Sequence, residues 1–118
     1  MSLVLVVTDN ESVREELRWA FSDEIEVVLA REARDAWDSM EERQPALVIV
    51  DLQTGSAGGF ALSHDMDATD RLGSIPVLML LDREQDAWLA RQAGADSFMV
   101  KPVEAGTIAA RVRELLAR

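Results

Sequence analysis

Short apolar runs and amphipathic stretches alternate five times along this chain. The runs Leu3-Val4-Leu5-Val6-Val7, Ala46-Leu47-Val48-Ile49-Val50 and Pro76-Val77-Leu78-Met79-Leu80-Leu81 are continuously apolar, the pattern of strands covered on both faces. The first of these predicts a strand over about 3–8, and two more are predicted over 25–30 and 97–100. Helical stripes lie between them. Val13, Leu17, Ala20 and Phe21 are spaced i, i+4, i+7 and i+8 behind a cap supplied by Asp9 or Asn10. Ala33, Ala36, Trp37 and Met40 mark the inward face of a second helix over about 32–43, and Pro45 punctuates before the third strand. A third helix is predicted from near Phe60 to Leu72-Gly73. A fourth covers about 84–93 with Gly94 as its C′ residue, and a fifth carries Ile108, Val112, Leu115 and Leu116. Residues 53–59 read as a loop rich in turn formers.

No repeat, low-complexity tract or linker interrupts this pattern, so 1–118 reads as a single domain. The chain is long enough to bury roughly two-thirds of its unfolded surface without staples. It has no cysteine, which removes disulfides, thiol nucleophiles and Cys-based zinc sites. The one histidine, His64, cannot build a metal cluster alone and reads as a helix-surface residue. No apolar run reaches the roughly 18 residues needed to span a bilayer, and a cytoplasmic protein with no membrane partner is expected. The formal charge is −10, with 13 acidic and 5 basic groups in residues 1–60. Such a surface repels polyanions, so no direct contact with nucleic acid is expected.

Five strand–helix units predict an α/β fold. The expectation is a flavodoxin-like (βα)5 three-layer sandwich with a parallel five-stranded sheet of order 2-1-3-4-5. In such sheets ligands bind beyond the carboxyl ends of the strands, at the switch point between strands 1 and 3. Asp9, Asp51 and Lys101 each stand where an apolar run ends, so the topology brings them towards one pocket. Two carboxylates and an ammonium suit a divalent cation and a phosphoryl group. Lys101 is the only lysine among twelve basic residues, a compact point charge kept where all others are arginine.

On these residues the chain resembles the response-regulator receiver family of two-component signalling. The resemblance runs over essentially the whole length. It is carried by Val6-Val7-Thr8-Asp9-Asn10-Glu11, Val48-Ile49-Val50-Asp51-Leu52, Ile75-Pro76-Val77 and the specific stretch Ala93-Gly94-Ala95-Asp96-Ser97-Phe98-Met99-Val100-Lys101-Pro102. The 53–59 loop and Leu80-Leu81-Asp82-Arg83 also resemble an atypical actinobacterial subgroup. The resemblance implies that Asp51 accepts a phosphoryl group from a histidine kinase or phosphotransfer protein, and that Lys101 contacts the phosphoryl oxygens. It further implies Mg²⁺ bound by Asp9, Asp51 and the backbone carbonyl of Gln53, and a cis Lys101–Pro102 bond that would aim the lysine inward. A downstream protein or a detached output domain would read the signal. Relatives commonly form homodimers through helix 4, strand 5 and helix 5.

The family pattern is broken at two places, Thr8 and the exit of strand 4, while Phe98 conforms to it. Thr8 stands where the family has an acid that holds metal-bound water, so Mg²⁺ binding is expected to be weakened rather than lost. Leu81 or Asp82 takes the place of a Ser or Thr that grips the phosphoryl group. Leucine cannot donate a hydrogen bond, and aspartate would repel the phosphoryl oxygens. Phe98 occupies the aromatic switch position, where Tyr or Phe is usual. Without the hydroxyl, phosphorylation has little differential contact with two loop states, which puts the usual output mechanism in question.

Two functions therefore compete: a phosphoacceptor receiver, and a phosphorylation-independent pseudo-receiver acting as an interaction module. A true enzyme is not expected beyond the domain's own phosphotransfer. Asp51-Leu52-Gln53-Thr54-Gly55 only faintly matches aspartyl phosphatases, because Gln53 cannot serve as their general acid. A flavodoxin-like nucleotide site is disfavoured by Asp9 and Glu11, which would repel phosphate, and no dinucleotide glycine fingerprint is present. Trp37 reads as core, whereas Trp19 and Trp88 are candidates for partner anchors.

Overall fold

In the computed structural model, which describes residues 2–53 and 58–118, five parallel strands pair in the order 2-1-3-4-5. They are β1 (Ser2–Val7), β2 (Ile25–Ala30), β3 (Leu47–Asp51), β4 (Val77–Leu81) and β5 (Ser97–Val100). The helices are α1 (Glu11–Arg18), α2 (Ala33–Glu42), α3 (Gly58–Asp67), α4 (Ala87–Gln92) and α5 (Ala105–Leu116). The predicted fold class is the observed one. Every residue of β3 and β4 is buried, which explains their uninterrupted apolar composition.

Alternation along the strands separates two cores. Leu5, Val7, Val48 and Val50 pack with Ala36 and Met40 of α2 and Leu62 and Met66 of α3. Val4, Val6, Ile49, Leu78 and Leu80 face the other way, onto Val13 and Leu17 of α1 and Ile108, Val112 and Leu115 of α5. A smaller cluster under α4 holds Leu52, Met79, Leu81, Ala90 and Ala93. Each fully buried Leu or Ile adds about 1.5–3 kcal/mol.

Element ends differ from the sequence reading for identifiable reasons. Asn10 rather than Asp9 caps α1, its Oδ1 accepting from the Val13 N–H at 3.1 Å. That helix ends at Arg18, although Ala20 and Phe21 still pack on the core beyond it. The third helix begins at Gly58, stops at Asp67 and does not reach Leu72. The Thr69 hydroxyl donates to the Asp65 carbonyl, and turns closed on the Met66 and Thr69 carbonyls follow. The predicted fourth helix is split: Glu84–Asp86 form a 3-10 turn held by an Arg83–Asp86 ion pair of 3.0 Å, and only then does α4 begin. Gly94 has the positive φ of 79° expected of a C′ glycine. Most of the predicted 53–59 loop, residues 54–57, lies outside the described residues.

Candidate functional site

The parallel register sets the carboxyl ends of β1, β3, β4 and β5 side by side, and the Thr8 and Lys101 side chains there converge on Asp51. Asp51 is the last residue of β3, pairs in register with Leu80, and is almost fully buried. Lys101, one residue past β5, extends its Nζ to 2.8 Å from Asp51 Oδ1. The same carboxylate oxygen accepts from the backbone N–H of Gln53 at 3.1 Å. The other oxygen, Oδ2, accepts from the fully buried Thr8 hydroxyl at 2.8 Å. Thr8 Oγ1 in turn accepts from the Asn10 N–H. A charged group this deep persists only when it is paired and hydrogen-bonded, and Asp51 is both.

Strand phase sends the two side chains at the end of β4 in different directions. Leu81 is fully buried in the cluster under α4, so its side chain leaves the site. Asp82 follows it and places Oδ1 at 2.8 Å from Lys101 Nζ. The ammonium thus bridges two carboxylates. Burial alone would push the Lys101 pKa down, but hydrogen bonds and charge from Asp51 and Asp82 outweigh it, and the net shift is upward. The Lys101–Pro102 peptide is cis, as the resemblance implied.

Asp9 stands exposed at the exit of β1, and Phe98 lies half-buried on β5 against the cluster under α4. Asp9 and Asp51 are the hard oxygen donors a Mg²⁺ ion takes. Among the described residues no group of three or more His, Cys, Asp and Glu side chains converges on one cation position. Two such carboxylates would suit a cation held by few protein oxygens and several waters. Asn10, Ser12, Glu16, Asp82 and Lys101 line an open cleft of about 440 Å³ beside the site.

Two contributors escaped the sequence reading. Arg14 is buried, and its Nη1 donates to the Thr8 carbonyl at 3.0 Å, bracing the β1–α1 turn. Its position between the inward-facing Val13 and Leu17 was the available clue. Gly59 packs so closely that a Cβ there would overlap the Asp51 carbonyl. His64 stacks on Phe60 at the exposed surface of α3.

A doubly wound parallel sheet takes its ligands beyond the carboxyl ends of its strands, and here that place holds a buried carboxylate and an ammonium. Residues 4–113 match the response regulator receiver domain model, and the chain belongs to that family. It is 34% identical to Response regulator Rre1 of Synechocystis sp., aligning over 98% of this chain and 52% of that protein. It is 35% identical to the virulence transcriptional regulatory protein PhoP of Salmonella typhimurium, over 100% and 53% respectively. The chain thus spans about half the length of these curated relatives. The receiver domain of NtrX from Brucella abortus superposes with a TM-score of 0.84 at 28% identity, covering 97% of this chain and 98% of that one.

Proposed function

We propose that Asp51 is the phosphoacceptor of a two-component phosphorelay. The observation that carries this reading is the buried Asp51 carboxylate paired at 2.8 Å with the ammonium of Lys101, fifty residues further on. Receiver domains of this family act with histidine kinases and output domains. In the proposed transfer, an Asp51 oxygen forms an O–P bond as the P–N bond of a donor phosphohistidine breaks, giving an aspartyl phosphate. Lys101 offsets charge on the equatorial phosphoryl oxygens, and the Gln53 N–H and Thr8 hydroxyl orient the attacking carboxylate. Asp9, Asp51 and the Gln53 carbonyl would hold Mg²⁺, which when bound neutralises further phosphoryl charge. With Thr8 in place of an acid, Mg²⁺ affinity should be lowered roughly 10–100-fold. The domain at most catalyses its own phosphotransfer.

Upstream, the partner is a histidine kinase or phosphotransfer protein. Downstream, a protein partner or an output domain reads the signal, and the acidic surface disfavours direct DNA contact. No helix among the described residues is long and apolar enough to cross a membrane.

A phosphorylation-independent interaction module is the second reading. It is favoured by the buried Leu81 and by Asp82 on Lys101, since no hydroxyl from β4 reaches the site. Intact-mass measurement after incubation with acetyl phosphate and Mg²⁺ separates the two. The phosphoacceptor reading predicts addition of one phosphoryl group that Asp51→Asn abolishes. No addition, under conditions that label an ordinary receiver, would leave the interaction module standing.

A further inference from the structure

The carboxylate at the exit of β4 makes a contact that phosphoacceptor chemistry does not require. Asp82 Oδ1 lies as close to Lys101 Nζ as Asp51 Oδ1 does, 2.8 Å in both cases. We propose that Asp82 is an internal anion occupying the place on Lys101 that a phosphoryl oxygen would take, and that phosphorylation of Asp51 expels it. The proposal rests on the phosphoacceptor reading.

Charge supplies the driving force. A phosphoryl group brings roughly two negative charges to a pocket that already holds Asp82. Both compete for one ammonium, and their mutual repulsion is strongest where water is scarce. The Lys101 side chain is only 14% exposed, whereas that of Asp82 is 49% exposed. Asp82 can leave for solvent, and Lys101 cannot follow it without abandoning Asp51.

Architecture converts that exchange into a movement. Among the described residues Lys101 is the sole hydrogen-bond or ion-pair partner of the Asp82 side chain. Leu81, fully buried, pins the end of β4. On the far side, the Arg83–Asp86 ion pair and the buried Asp86 hold the 3-10 turn as a unit. Among the described residues the Asp82 side chain is therefore tied to the site through one contact, and its loss frees the start of the segment that leads into α4. A ligand shifts an equilibrium only through differential contact with its two states. Here the difference is an ion pair broken on phosphorylation, where a hydroxyl would make one. The segment is pushed outward rather than drawn in.

Lys101 is the only lysine, so isotopically labelled lysine reports one side-chain amine by NMR. Wild type, Asp82→Asn and Asp82→Ala would be titrated with fluoroberyllate and Mg²⁺ while following that signal and amide exchange over 82–86. The expected result is roughly tenfold tighter binding by both variants, since a competing like charge is removed. Exchange over 82–86 should accelerate on binding in wild type and be fast from the start in the variants. Equal affinities, or exchange that binding leaves unchanged in wild type, overturn the proposal while the phosphoacceptor reading stands. Failure of all three proteins to bind sinks that reading and the proposal with it.

Discussion

The rims of β3 and β4 each present a carboxylate to the same ammonium at the same distance, yet the two contacts are not equivalent. The Asp51 side chain is 2% exposed and that of Asp82 is 49% exposed. Desolvation makes the first contact obligatory, because a buried carboxylate without its partner is strongly unfavourable. Solvent screens the second and leaves it worth little. Separation alone does not rank ion pairs; the surroundings of each partner do. One lysine can therefore anchor a site permanently through one neighbour and hold a displaceable group through the other.

The largest effect should come from removing the shared ammonium. Lys101→Met leaves the buried Asp51 without its cation, and a loss of about 3–5 kcal/mol is expected in urea unfolding. The same pairing sets an alkaline limit. The Lys101 pKa is raised in the fold, so its stabilisation is fully present below the ordinary lysine value and is lost as pH rises through the higher folded value. The chain has no cysteine or tyrosine and a single lysine, so no other side chain normally titrates between about pH 9 and 12. Urea midpoints across that range should fall for wild type and stay flat for Lys101→Met. A smaller effect is expected at the opposite oxygen: Thr8→Val removes a buried donor from Asp51 and should cost about 1–3 kcal/mol. The smallest belongs to the exposed contact, where Asp82→Asn should change stability by no more than about 1 kcal/mol. A loss from Asp82→Asn as large as that from Lys101→Met would erase the distinction between the two rims.

The strands, their order and the Asp51–Lys101 pair were legible because continuous apolar runs end abruptly at charged residues. Topology then decides which ends meet. The contact between Lys101 and Asp82 was not legible, since Leu81 and Asp82 are adjacent in a strand exit. A one-residue change of phase sends a strand side chain to the other face of the sheet. Only packing of Leu81 against Met79, Ala90 and Ala93 fixes that phase. The end of α3 and the division before α4 depend on the Thr69 hydroxyl and the Arg83–Asp86 pair, local bonds that hydrophobic periodicity does not register. Arg14 was missed because a charge beside an apolar stripe ordinarily points to solvent, whereas this one reaches back to the Thr8 carbonyl.

The decisive experiment is a structure determined with Mg²⁺ and fluoroberyllate bound. The beryllium group should sit on an Asp51 oxygen, with Lys101 Nζ against one of its fluorines and the Asp82 carboxylate turned to solvent. Fluoroberyllate absent from Asp51 at saturating concentration, or Lys101 directed away from it, would rule out Asp51 as the phosphoacceptor.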